Sequence, residues 1–411
     1  MSDLISKNKL GIFKKASKDF VFSVLALIIY NGALQLIVYP GIKAVVGKGP
    51  FGTVLYLISI VSIMGAGFGT GASYSRMMAK KSRTQENGDY NVFLLIIAAI
   101  CIPVTFVSLY AAKCLSKELF ILVLILMILT VFRYYADVQY RMDIRFRDYF
   151  IFFMAVSVGY LVGLMIFQLL GSWVWAILLG EICGLVFTYF SGSIFKSPYF
   201  KLSDSFGANM KSVWFISSSN LLSALILHSD RILIRLVVGD SEVTTFYTAS
   251  VVGKIVALLT TPFNGIIISY LTNYKIKLTK AKFSMVTAGY LLVTFIGTIV
   301  CTFASSIYVK LLFPDVYADA SKYFLMGNLG QLLYFLSGSL MVVILTFTGE
   351  KFQMYINAAY IVLFVAVVIP GAMFFGIQGV AYGLVLINLV RFALVYVIGM
   401  VGVKKEQNVV S

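Results

Sequence analysis

One histidine, His228, and four cysteines in 411 residues leave little material for metal or thiol chemistry. Cys101, Cys114, Cys183 and Cys301 have neither the close spacing of a metal site nor the density of a disulfide scaffold. Charge is equally scarce, at 12% of residues, and the acids are only 17. With so little charge, an ordinary soluble domain is excluded. A lone histidine specifies no Ser/His/Asp site, and Ser217-Ser218-Ser219 reads as a polar helix surface. Gly47-Lys48-Gly49 lacks the remainder of a phosphate-binding loop, so ATP hydrolysis by this chain is not expected. No metal, no cofactor and no catalytic residue is assigned.

What is present is hydrophobicity: 60% of residues, arranged in runs close to the roughly 20 residues that cross a bilayer. The basic N-terminal segment precedes an apolar run too long for a signal peptide, and many more runs follow. Spans are expected near 20–39, 51–72, 91–111, 119–136, 148–169, 173–190, 212–230, 247–270, 284–306, 322–346, 353–371 and 377–400. The fold expected is therefore an all-α membrane protein of twelve transmembrane helices. The polar break 191–211 divides it into two six-helix bundles, 1–190 and 212–411, joined by a cytoplasmic loop. Such halves fit a transporter built from parallel repeats.

Net charge is +16, and its distribution carries the orientation. Of 33 basic residues, 23 fall on the segments that face the cytoplasm if both termini do. Lys43, Lys48, Lys113, Lys117, Arg231, Arg235, Lys310 and Lys322 fall on the other side. The bias places both termini inside. Because these charges are dispersed over short loops, nucleic-acid binding is not expected.

Lys254 and Arg391 fall well inside expected spans, away from their ends. An ionised group there costs several kcal/mol against hydrocarbon, about 2.5 to 3.5 by insertion scales, so each calls for a partner or a wet cavity. Both are candidates for a substrate cavity that attracts an anion, against internal pairing or snorkelling. Asn31 and Gln35, four apart, share a helix face and are further cavity candidates. Arg76 at the inner end of the second span is a candidate for headgroup entry, against an ordinary inside-positive charge. Glu181, Asp230 and His228 are candidates for proton or sodium coupling, or for structural pairing. Gly67, Gly69 and Gly71 permit bending or close packing, and Pro262 permits a kink.

Asp230-Arg231-Ile232-Leu233-Ile234-Arg235-Leu236-Val237-Val238-Gly239, then Phe246-Tyr247-Thr248-Ala249 and Thr261-Pro262-Phe263, resemble the polysaccharide biosynthesis membrane proteins of the multidrug/oligosaccharidyl-lipid/polysaccharide exporter superfamily. Leu312-Phe313-Pro314-Asp315-Val316-Tyr317, Gly349-Glu350-Lys351 and Gly376-Ile377-Gln378-Gly379-Val380-Ala381 continue the resemblance in order. It implies the exporter-superfamily fold and an O-antigen or related repeat-unit flippase in a bacterial inner membrane, serving lipopolysaccharide or capsule biosynthesis. Its substrate would be an undecaprenyl-pyrophosphate-linked oligosaccharide, moved from the cytoplasmic to the outer leaflet by alternating access. A polysaccharide polymerase and a chain-length regulator would be its partners. The alternative is a multidrug or small-solute exporter of the same superfamily.

Overall fold

The computed structural model describes residues 19, 21–80, 82–258, 264, 279–345 and 351–409. Every regular element among them is helical. In chain order the long helices are α1 (Val21–Val46), α2 (Lys48–Ala79), α3 (Asn87–Ala111), α4 (Lys117–Met142), α5 (Phe146–Leu170), α6 (Trp175–Ser191), α7 (Phe206–Val237), α8 (Asp240–Leu258), α9 (Lys280–Leu312), α10 (Pro314–Ile344) and α11 (Tyr355–Gly402). Among the described residues, nine of these are long and apolar enough to cross a membrane, whereas α6 is apolar but shorter. The chain is a multi-pass, all-α membrane protein.

The helix ends follow local chemistry. Ser116 caps α4 by accepting from the Leu119 amide at 3.2 Å, and Glu86 and Asp89 close a reciprocal capping box at the start of α3. Gly171 stops α5 in the left-handed conformation, φ 76°, which a side chain would oppose. The apolar belt of a membrane protein is plain on α9, where Phe295, Phe303 and Leu311 are exposed. In hydrocarbon such exposure is the low-energy arrangement.

Several helices outrun the expected spans. α4 continues past 136 to Met142, and Arg133, near the end of its expected span, is buried. Lys43, Arg231 and Arg235, expected on outer loops, also lie in helices. The expected eleventh and twelfth spans both fall in α11, whose helical path breaks at Gly376 with φ 58° and ψ −139°. Across the break the chain closes on itself: a Cβ at Gly371 would lie 3.0 Å from the Gly379 carbonyl oxygen. Expected span eight extends past Leu258, and Pro262 lies outside the described residues.

The chain divides into two compact units. One contains residues up to Gly47 together with Thr53–Ser229; the other contains Lys48–Gly52 together with Asp230 onward. In the first unit, α5 and α6 meet through glycines. A Cβ at Gly159 would come 2.7 Å from the Gly180 Cα, and one at Gly184 would come 2.7 Å from Val156. This is close packing by small residues at four-residue spacing. The second unit is centred on Phe283, Leu333, Leu340, Ile344, Phe392 and Val395 from α9, α10 and α11.

Candidate functional site

The buried charges form separate clusters, and their neutralisation differs. In the first unit Arg133 and Glu181 are both almost fully buried, with Nε donating to Oε2 at 2.7 Å and Nη2 to Oε1 at 3.3 Å. Tyr160 donates to the same carboxylate at 2.7 Å, Arg133 also donates to the Tyr30 hydroxyl at 3.2 Å, and its guanidinium stacks 4.1 Å from the centre of the Tyr134 ring. Each charge has its complement and each carboxylate oxygen has a donor. Glu181 is thus ion-paired with Arg133.

Arg76 is also buried, but it is held differently. It donates to the Tyr135 hydroxyl and, at 2.8 Å, to Asn87 Oδ1, while its guanidinium lies over the Tyr90 ring at 5.1 Å. No carboxylate lies within ion-pair distance of it among the described residues, and its Nε has no hydrogen-bond partner there. Aromatic faces supply part of the missing negative potential.

In the second unit, Lys254 donates to Asp230 Oδ2 at 2.6 Å, joining two of the residues singled out in the sequence. α7 and α8 carry the partners 24 residues apart. Beside Asp230, Arg231 lies over the Tyr247 ring at 4.9 Å. Arg391, 6% exposed, donates from Nη1 to the Tyr334 carbonyl oxygen at 2.6 Å and to Ser337 Oγ at 2.9 Å, and it stacks 4.3 Å from the Tyr334 ring centre. Among the described residues it has no carboxylate at ion-pair distance and its Nε has no partner. Its guanidinium also lies 6.0 Å from the centre of the Tyr360 ring. Lys254 is thus matched by Asp230, whereas Arg391 is held by a carbonyl, a hydroxyl and aromatic faces. A buried cation held in that way meets the electrostatic requirement for holding an anion.

The other expected residues are distributed elsewhere. Asn31 donates to its own helix at the Leu27 carbonyl, 2.8 Å away, and Gln35 lies in the π-helical turn Ala33–Val38 of α1. His228 is half-buried in α7, two residues before Asp230. Gly65–Gly69 forms a π-helical turn in α2. Two faces of this glycine segment are occupied: a Cβ at Gly65 would meet Thr130 and Tyr134 of α4, and one at Gly67 would lie 3.0 Å from the Leu221 Cα of α7. At Gly71 the same test brings a Cβ to 2.5 Å from the Ser217 Cα, and at Gly69 to within 2.7 Å of the Tyr134 side chain. The aromatic partners Tyr30, Tyr160, Tyr334 and Tyr360 were not singled out in the sequence. Glu181, Lys254 and Arg391 each signalled a need for a partner, since a charge within an apolar span calls for one; nothing in the sequence identified which tyrosines would surround each arginine.

No protein-family model matches the sequence, and no curated protein matches it. Solved structures do. A multidrug resistance MATE family transporter of the MOP superfamily, in an inward-facing conformation, aligns over 93% of this chain and 96% of its own, with TM-score 0.69 and 13% identity. The Vibrio cholerae MATE transporter VcmN in the bent form aligns over 96% and 98%, with TM-score 0.61 and 13% identity. The lipid II flippase MurJ, in an inward closed conformation, aligns over 91% and 86%, with TM-score 0.67 and 13% identity. The chain shares the fold of these transporters across nearly its whole length.

Proposed function

We propose that this chain is a membrane transporter that works by alternating access and performs no covalent chemistry. Twelve crossings follow if α6 and α8 each span and if α11 spans twice, reversing at Gly376. That count supports two six-helix bundles, with the divide falling at the polar connection 191–211 and both termini on one side; the loop-charge bias supports the cytoplasmic side, and the sequence resemblance a bacterial inner membrane.

For the substrate, the observation of most weight is Arg391: a deeply buried cation with no carboxylate partner among the described residues. A bound anion would supply the missing charge at Arg391. This supports a substrate with a phosphate-bearing headgroup, and the sequence resemblance supplies the specific form, a polyprenyl-pyrophosphate-linked oligosaccharide. The flippase would move it from the cytoplasmic to the outer leaflet and deliver it to a polysaccharide polymerase and a chain-length regulator. Proton or sodium coupling would act at a carboxylate, and Asp230 is the residue proposed for it.

A second reading, export of a multidrug or small solute, is favoured by the solved structures. The likeness to the MATE transporter covers more of both chains than the likeness to the flippase. The two readings separate in vesicles reconstituted with the protein. Transfer of a defined polyprenyl-pyrophosphate oligosaccharide, read by its exposure to a sugar-modifying enzyme on one side, is expected to need the wild-type chain and to fail in Arg391→Gln. Gradient-driven movement of a cationic dye without any lipid transfer would reject the flippase and leave the exporter.

A further inference from the structure

The first unit contains an apolar groove that the transport reading does not use. Its volume is about 450 Å³, within the ~300 to 1,000 Å³ of ordinary small-molecule sites. Leu95 of α3, Phe132 of α4, and Leu185 and Val186 of α6 form its walls, and its lining is almost wholly apolar. Phe195, Tyr199 and Phe200 of the connection between α6 and α7 close one end.

That connection is held firmly. Gly88 N donates to the Lys201 carbonyl at 3.2 Å, Asn91 Nδ2 to the Tyr199 carbonyl at 3.0 Å, and Ser203 donates from both its backbone amide and its hydroxyl to the Asp89 carboxylate. Phe195 lies 6.0 Å, ring centre to ring centre, from both Phe132 and Tyr135. The groove is consequently a built feature with a fixed aromatic floor.

Its position states what it meets. One end opens beside Leu95 and Val186, both about half exposed on helices that belong in hydrocarbon. The other end carries Tyr189, Tyr199 and Phe200, exposed aromatic residues of the kind that sit at the membrane–water boundary. Lys196, adjacent to Phe195, is exposed and has no ion pair among the described residues, whereas Lys201 is held by Glu86 at 2.6 Å. Apolar walls and exposed aromatic residues thus make up one groove, and an exposed lysine follows its lining residue Phe195 in the chain.

We propose that this groove is a binding site for an anionic glycerophospholipid of the surrounding leaflet. One acyl chain lies along Leu95, Leu185 and Val186. The phosphate meets Lys196, which follows the lining residue Phe195 in the chain. Basic pockets at helix ends are known to hold anionic lipid headgroups, and a single lysine beside such a surface is worth about fivefold in affinity. The proposal concerns a lipid neighbour of the protein and is independent of the transported substrate.

The test is native mass spectrometry of the full-length protein, purified in detergent with equal amounts of phosphatidylglycerol and phosphatidylcholine of identical chains. Wild type is expected to retain phosphatidylglycerol preferentially. Lys196→Gln is expected to lower that preference about fivefold, and Val186→Trp, which fills the groove, to lower retention of the bound lipid. Phe303→Trp, on the apolar surface of α9, serves as the control and should change neither. Equal retention of the two lipids by wild type overturns the headgroup assignment. Retention of phosphatidylglycerol by Val186→Trp at the wild-type level overturns the groove as its place. If Val186→Trp does not purify as a folded protein, Leu95→Trp blocks the opposite wall and carries the same two outcomes. A second copy of the chain bound in place of lipid also overturns it.

Discussion

Arg133 and Arg391 are both buried arginines in apolar helices, and the difference between them is the presence of a carboxylate. Arg133 is neutralised by Glu181 and has its remaining donors directed at Tyr30 and the Tyr134 ring. Removing only one partner leaves a bare buried charge, so Arg133→Met is expected to cost about 3 to 5 kcal/mol. Arg133→Met combined with Glu181→Leu should recover most of that loss, and thermal unfolding in detergent with a double-mutant cycle measures it. At Arg391 the guanidinium rests on a carbonyl, a hydroxyl and an aromatic face. Arg391→Gln is expected to fold and to lose transfer, while Arg391→Lys keeps the charge, loses the planar stacking and retains part of the activity. Full transport by Arg391→Gln, measured in reconstituted vesicles, would remove this residue from the site. For the residues themselves, the sequence showed that Glu181, Lys254 and Arg391 needed partners. It could not show which, because Arg133 and Glu181 are 48 positions apart and only folding brings them together.

Among the helices, small residues determine how close the backbones come. Gly159 and Gly180 sit against each other in α5 and α6, and Gly67 and Gly71 against Leu221 and Ser217 of α7. Gly159→Val and Gly71→Val are each expected to destabilise by about 1 to 3 kcal/mol through overpacking. Gly289 in α9 has nothing within 4 Å of a built Cβ. Gly289→Ala should accordingly stabilise by roughly 0.5 to 1 kcal/mol, by the helix preference alone, and the same unfolding assay checks the contrast. At Gly376 the positive φ admits no side chain without strain, so Gly376→Ala is expected to cost about 1 to 3 kcal/mol. Helix positions were legible from hydropathy because a bilayer demands long apolar runs. Helix ends were less so: α2 continues to Ala79 because Arg76, a polar residue near its end, finds Tyr135 and Asn87. A polar residue that would mark a loop by composition remains helical when neighbouring helices satisfy it.

On the scale of the whole molecule, the orientation rests on loop charge and the crossing number on the break in α11. Single cysteines introduced into a chain cleared of Cys101, Cys114, Cys183 and Cys301 test both. A cysteine at Lys196 and one near either terminus should react with an impermeant reagent from the cytoplasmic side only, and one at Lys113 from the opposite side. Labelling of Lys113 and Lys196 from the same side would reject the twelve-span arrangement. What the sequence by itself determined is the class of molecule: long apolar runs and scarce charge leave only a membrane protein, because each unpaired backbone group or charge in hydrocarbon costs several kcal/mol. What only the tertiary structure decided is the state of each buried charge. Arg133 became a structural pair, Lys254 was matched to Asp230, and Arg391 was left with aromatic and neutral contacts. Neutralisation depends on distances of a few ångströms between different helices, and no local pattern along the chain specifies these.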